Sequence, residues 1–297
     1  MTTIEPPHSL RVDAAALWRR GTGETDIRRG DLWVLSWDGS PCGHVMVAAN
    51  KSDYIIGWPV TLAEEPSYAP GLVVRVTPLA VPVVLWPSRE TGLGKHLLDR
   101  CLGNLLSERQ VLQVAAATDA GELPGLPFAR GSSSDEANSA SDRTMTEHWA
   151  ELCFNDPRSD TGEVVLDENK IRAAGIDAQT VGRALGLDVV ATRNIWSGTK
   201  PISAPDLSRL ARAVGVPEVD LTGVDPASEY LSELARPVFK SDVVDLGRKR
   251  REREGTTRVR VSREALRLAA RDDSRSRRPE KLRDAIARLQ DSGQSDA

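Results

Sequence analysis

The chain has 297 residues, 40% of them hydrophobic, 4% aromatic and 28% charged, with a net charge of −4. At ~100–200 residues per domain that is apolar material for two or three domains, and it excludes wholesale disorder. Only three cysteines, at 42, 101 and 153, argue against a disulfide framework and fit a reducing cytoplasm; no run approaches the ~18 apolar residues of a membrane span, and the N-terminus lacks a signal-peptide h-region.

The net charge conceals an asymmetry. Gly247 to Ala297 holds 16 Lys and Arg against 9 Asp and Glu, whereas the preceding 246 residues hold 23 against 34. A basic tail on an acidic body implies either an anionic partner, nucleic acid being the usual one, or a solvated, partly disordered tail that folds back on the acidic body.

In chain order, residues 1–26 contain one amphipathic helix around Val12–Trp18. Between 27 and 116, short β-type runs at Leu32–Trp37, His44–Ala49, Tyr54–Val60, Leu72–Val76 and Val81–Leu85 alternate with Gly, Pro, Asn and Asp punctuation. That pattern predicts a small, strongly bent sheet or barrel. Leu93, Leu97, Cys101 and Leu105 recur at helical spacing, which predicts a closing helix over 93–106. Residues 117–144, with their Gly-Ser-Ser-Ser run from Gly131, have linker composition. A helical domain follows over 145–235, and 236–297 reads as a basic arm.

Within the helical domain, Asp177 is placed to cap a helix over Ala178–Leu185 that ends at Gly186, and Asp188 to cap a second over Val189–Ser197. Two short helices across a Gly-containing turn form the unit that lays its second helix in the major groove. A third helix, Pro205–Val214, shares a core with them through Val181, Leu185, Leu187, Ile195, Leu207, Leu210 and Val214. Together with Trp196-Ser-Gly-Thr-Lys-Pro201 and Asp220-Leu221, this stretch resembles the Xre (Cro/CI-type) helix-turn-helix family over roughly Val165–Leu221. The resemblance implies that Val189, Val190 and Asn194 face base edges, Asn suiting adenine and Val the thymine methyl. It places Arg193 and Lys200 at phosphates and implies a homodimer on paired half-sites.

In the tail, Thr256-Thr-Arg-Val-Arg-Val-Ser262 alternates Arg with Val, as a strand with one cationic face would. Helical patterns over 263–271 and 279–289 follow it. This order resembles the ribbon-helix-helix family, which would put Arg258 and Arg260 in contact with DNA; a basic amphipathic arm that orders on binding is the alternative.

The β-rich region opens on Arg29-Gly-Asp-Leu-Trp33, continues through Trp58-Pro-Val-Thr61 and runs from Val83 into Leu102-Gly-Asn-Leu-Leu-Ser-Glu108. In that order it resembles the MazF/PemK-type toxins, whose SH3-like barrel dimerises and cleaves single-stranded RNA. Under that resemblance the catalytic positions fall on His44, as a neutral imidazole base, and on Thr61.

The remaining motifs are bland. Gly92-Leu-Gly-Lys95 lacks Walker spacing, and Cys42 with His44 has no second ligand pair for zinc. Cys101 and Cys153 read as buried apolar residues, His96 and His148 as surface or helix-face histidines. No metal and no cofactor is implied. The sequence thus describes an α+β multidomain protein: a small SH3-like β-barrel, an all-α helix-turn-helix domain and a basic strand-helix tail. The favoured function is an operator-binding transcriptional regulator, with a toxin-like endoribonuclease acting on single-stranded RNA as the alternative.

Overall fold

In the computed structural model, which describes residues 6–7, 10–62, 65, 67–130, 132, 135–271 and 277–292, the apolar runs of the N-terminal half become strands and the C-terminal half becomes helices. The elements begin with α1 (Val12–Arg20), β1 (Asp31–Trp37), β2 (Ser40–Asn50), β3 (Tyr54–Leu62) and β4 (Leu72–Val74). There follow β5 (Val83–Leu85), β6 (Thr91–Gly94), β7 (Leu98–Asn104), α2 (Glu108–Ala120) and α3 (Glu136–Cys153). The helical half carries β8 (Glu163–Val164), α4 (Glu168–Ala173), α5 (Ala178–Leu185), α6 (Val189–Trp196) and β9 (Ile202–Ser203). Last come α7 (Ala204–Val214), α8 (Glu218–Leu221), α9 (Ser228–Leu234), α10 (Lys240–Arg250), α11 (Glu254–Arg271) and α12 (Arg278–Ser292). Two compact units result: Met1–Asn155 with Ala235–Val244, and Asp156–Leu234 with Asp245–Ala297.

The first unit is an antiparallel sheet in the order β4-β5-β3-β2-β1-β7, with β6 pairing the Tyr54–Gly57 end of β3 and β5 its Val60–Leu62 end. Bulges between Leu35 and Ser36 and between Val47 and Ala49 bend its central strands. No ladder joins β4 to β7 among the described residues, so the sheet is open where a closed barrel was expected. Its edges are covered locally instead. Leu72 bridges Phe128, and Val73 N–H donates to Pro127 O at 2.8 Å. On β7, Thr22 N–H donates to Cys101 O at 2.8 Å. Covering an edge removes the unpaired row that would otherwise invite another strand.

Both sheet faces are buried. Leu32, Val34, Met46 and Trp58 pack with Trp18 of α1 and with Val111 and Val114 of α2. On the opposite face Trp33, Leu35, Val45 and Val47 pack with Trp149 and Leu152 of α3. A sheet covered on both sides needs continuous apolar strands, which is why β1 reads Leu-Trp-Val-Leu without alternation. The chain segment that returns from the second unit is fixed here by Lys240. Its buried ammonium donates to Ser36 O at 2.8 Å and His96 O at 3.0 Å and lies 5.7 Å from the Trp37 ring centre.

Three expectations are corrected. The 93–106 segment is β6, a short 3₁₀ turn and β7 rather than a helix, because residues buried on both faces of a strand satisfy helical spacing by coincidence. The 117–144 segment is only partly a linker: α2 runs to Ala120, and α3 starts at Glu136 and packs on the sheet, moving the unit boundary from 145 to Asn155. Gly131, Ser133 and Ser134 of that segment lie outside the described residues. Finally, Thr256–Ser262 lies within α11, so the ribbon strand does not form. This helix is wrapped by α9, α12 and the 157–160 turn, and it buries polar as well as apolar residues.

Arg258 is one of those polar residues. It is 0% exposed and pairs with Glu254 one turn earlier at 2.8 Å, while donating to Leu234 O at 2.7 Å. Breaking such a pair strands a buried charge, so Glu254→Ala is expected to lower the unfolding free energy by about 3 kcal/mol or more. Urea unfolding followed by far-ultraviolet circular dichroism measures this, and a loss below about 1 kcal/mol would mean water reaches the guanidinium.

Candidate nucleic-acid interface

The second unit presents α6 outward. Asp177 accepts from Thr180 N–H at 2.7 Å and Asp188 from Ala191 N–H at 2.7 Å, satisfying the first free amides of α5 and α6. Hydrogen bonds from the Thr180 hydroxyl, and then from its amide, hold the Asp177 carboxyl below its ordinary pKa. Gly186 ends α5 in the left-handed region at φ +69° and turns the chain into α6. Thr192 and Ile195 anchor the inner side of α6, Ile195 in a core with Ile171, Val181, Leu185, Leu207 and Leu210.

The crossing of the two helices is tight. A Cβ at Gly182 of α5 would meet Thr192 Oγ1 at 2.6 Å and Thr192 Cγ2 at 3.1 Å. Trp196 closes the end of α6, donating from its indole to Ile176 O at 3.4 Å, with Arg172 stacked 5.0 Å from its ring centre. Lys200 N–H and the Thr199 hydroxyl both donate to Asn194 O at 2.9 Å, which holds the turn after α6.

With its inner side committed, α6 turns its other residues to solvent. Val189 is 85% exposed and Val190 71%. Arg193, Asn194 and Lys200 are exposed as well. Neither Arg193 nor Lys200 pairs with a carboxylate among the described residues. Two exposed valines in the first turn of an eight-residue helix are costly to leave wet. Beside two cations without carboxylate partners they form a mixed apolar and cationic strip, as a groove-reading helix presents.

The basic tail behaves differently. Arg260 pairs with Glu252 at 2.9 Å, Arg253 with Asp160 at 2.7 Å, Arg263 with Glu163 and Asp225, and Arg278 with Glu229. Arg260 shares a cleft of about 420 Å³ with Lys200, Arg263 and Arg267. Arg258 is enclosed as described and cannot reach a phosphate, which corrects its expected contact with DNA. The tail folds back on acidic residues of its own unit, as one of the two charge readings has it, but through a packed helix, α11, that buries Thr257, Arg258 and Val261 rather than as a solvated arm.

In the first unit His44 and Thr61 line one cavity of about 460 Å³ beneath α3. The His44 ring lies 4.6 Å from that of Trp18, and its Nε2 is buried without a hydrogen-bond partner among the described residues. Loss of water around the ring, and then the charge of Arg100, push its pKa down to about 4. The Thr61 hydroxyl accepts from the Trp86 indole at 2.9 Å. Neither Arg nor Lys lines the cavity among the described residues. Arg29 is held by Glu108 and Ala48 O, and Arg28 by Glu24 and Asp26.

Two minor expectations are also corrected. His96 is buried, stacked edge-on to Trp37 and hydrogen-bonded to Asn155 Oδ1 at 2.9 Å, whereas Cys153 is exposed. Cys101 is buried, and burial raises its thiol pKa. Sequence reasoning missed Glu65, Tyr68, Ser141 and Thr144, which line the same cavity as His44; they come from separate segments with no shared motif. No protein-family model matches the chain, and no curated protein matches it.

Gly182→Ala is expected to cost about 1–3 kcal/mol of stability, because the new methyl has no room beside Thr192. Combining it with Thr192→Ala should recover part of that loss in a double-mutant cycle, and additive effects would mean the helices do not meet there. His44 yields a second outcome. Its unfolded pKa of 6.5 exceeds the folded value of about 4, so the unfolded chain takes up the proton between those values. The stability it contributes is complete above pH 6.5 and is lost as pH falls towards 4, by at most about 3 kcal/mol. Urea unfolding followed by tryptophan fluorescence should therefore fall more steeply from pH 7 to 4.5 in the parent than in His44→Met, by about 2 kcal/mol.

Proposed function

We propose that the protein is a transcriptional regulator that reads double-stranded operator DNA through a helix-turn-helix formed by α5 and α6. The observation that carries this reading is the outward strip of α6, with Val189 and Val190 exposed beside Arg193 and Asn194. In the major groove, the Asn194 amide matches adenine N6 and N7, and the two valines match thymine methyl groups. Arg193 and Lys200 lie on the same exposed stretch and take phosphates, which fixes register without reading sequence. Arg260 adds a flanking phosphate contact from the cleft it shares with Lys200. The protein works as a homodimer on paired half-sites in the cytoplasm, with the sheet unit serving to bind, sense or dimerise.

The ribonuclease reading has less behind it. Its cavity offers no cation for a scissile phosphate among the described residues. A base with a pKa near 4 lies far from the neutral range in which proton abstraction is most efficient. No single-stranded RNA cleavage is therefore expected from the parent chain.

Selection of random duplexes by the full-length protein, followed by binding at several salt concentrations, tests the DNA reading. Asn194→Ala should weaken the selected site about tenfold, at ~1–3 kcal/mol per bidentate base contact, and leave random DNA unaffected. Arg193→Ala should weaken both and reduce the salt slope by about one. Failure to enrich any sequence, or equal losses on selected and random DNA with Asn194→Ala, would overturn it.

A further inference from the structure

The cavity beneath α3 has the makings of a binding site distinct from the α6 strip. Its roof is fastened at two points. The His148 Nε2–H donates to Cys42 O at 2.5 Å, and Asp142 accepts from the Tyr68 hydroxyl at 3.1 Å and from Arg89 at 2.6 Å. Burial, and then the hydrogen bond to Asp142, push the Tyr68 pKa up to about 12, so the hydroxyl stays protonated and holds that clasp. A roof held in place before binding spares the ligand the cost of ordering it.

The lining is graded. Val60, Tyr68, Trp86 and Trp149 are buried, while Glu65 and Thr144 are exposed. The inner end is therefore apolar and aromatic, and the outer end polar. Thr61 already accepts from Trp86, which leaves its hydroxyl hydrogen to donate. The Ser141 hydroxyl has no protein partner among the described residues. Glu65 uses Oε2 on Leu62 N–H at 2.6 Å and keeps Oε1 as an acceptor.

Charge decides the ligand class. Glu65 is the carboxylate of the lining, and no Lys or Arg lines the space among the described residues. An anion in the cavity would face that carboxylate with no Lys or Arg among the described lining residues to balance it, whereas an ammonium would be paired. The volume of about 460 Å³ lies within the ordinary range of small-ligand sites. We propose that this cavity binds a small aromatic amine, its ring against Tyr68, Trp86 and Trp149 and its ammonium at Glu65.

Phenethylamine and phenylacetate share ring and chain length and differ in charge, so they test both parts. The full chain, labelled with ¹⁵N, is titrated with each and followed by amide shifts. Phenethylamine should give saturable shifts at Thr61, Glu65 and Ser141, and phenylacetate should bind at least about tenfold more weakly. Glu65→Gln should remove most of that discrimination and leave the spectrum otherwise folded. Ser141→Trp, which fills the space from a partly exposed helix position, should abolish the shifts. Equal binding of the two compounds, shifts elsewhere that survive Ser141→Trp, or no saturation by about 10 mM amine would overturn the assignment.

Discussion

The outward strip of α6 exists because α5 lets α6 come close. With no side chain at Gly182, Thr192 settles against the α5 backbone, and that contact fixes the roll of α6 about its own axis. Once Thr192 and Ile195 point inward, the 100° step of a helix leaves Val189, Val190, Arg193 and Asn194 nowhere to go but outward. A larger residue at 182 would push α6 away and turn its face by the same movement. The caps at Asp177 and Asp188 and the left-handed Gly186 complete the geometry, but they set where the helices begin and end and not which way α6 faces.

The charge pattern acquires a physical account at the same level. Several acidic side chains around α6 are engaged in structural work: Asp167, Asp177 and Asp188 cap helices, Glu168 pairs with Arg172, and Glu218 accepts from Ser208. Farther along, Asp160, Glu163, Asp225 and Glu229 take the arginines of α11, α12 and the turn before α11. A basic tail that meets acidic partners within its own unit is a folding device as much as an attractor of anions. Solvated pairs of this kind contribute little apiece. Arg258 and Glu254 differ, because both are enclosed and neither can be removed alone without stranding the other.

Much of the fold was legible in the sequence. The strands at Leu32, His44 and Tyr54 stood out as apolar runs cut by turn residues, and the helices from Ala178 to Val214 stood out by caps, glycines and apolar spacing. What misled was burial on more than one side. Leu93, Leu97, Cys101 and Leu105 imitate a helix because both faces of their strands are covered. Val259 and Val261 imitate a strand because α11 is enclosed broadly enough to bury Thr257, Arg258 and Ser262 alongside them. Periodicity records one wet face and one dry face, and it fails where no face is wet.

The candidate site divides along the same line. The α6 residues were readable because a local motif, capped and punctuated, determines their exposure within a dozen positions. The cavity was readable only as far as His44 and Thr61, since its other walls come from α3 and from Glu65 and Tyr68 in the loop before β4, brought together by tertiary packing. Its chemistry also reversed in the process. The sequence offered His44 as a neutral imidazole base and Thr61 as the second catalytic position. Burial instead withholds the proton from the histidine, an indole occupies the threonine's acceptor side, and the Glu65 carboxyl forms part of the wall. A wall with that carboxylate and, among the described residues, no Lys or Arg opposes a phosphodiester, whereas the outer side of α6 keeps two cations clear of carboxylate partners, so the same folding that withdraws positive charge from one expected site leaves it on the other.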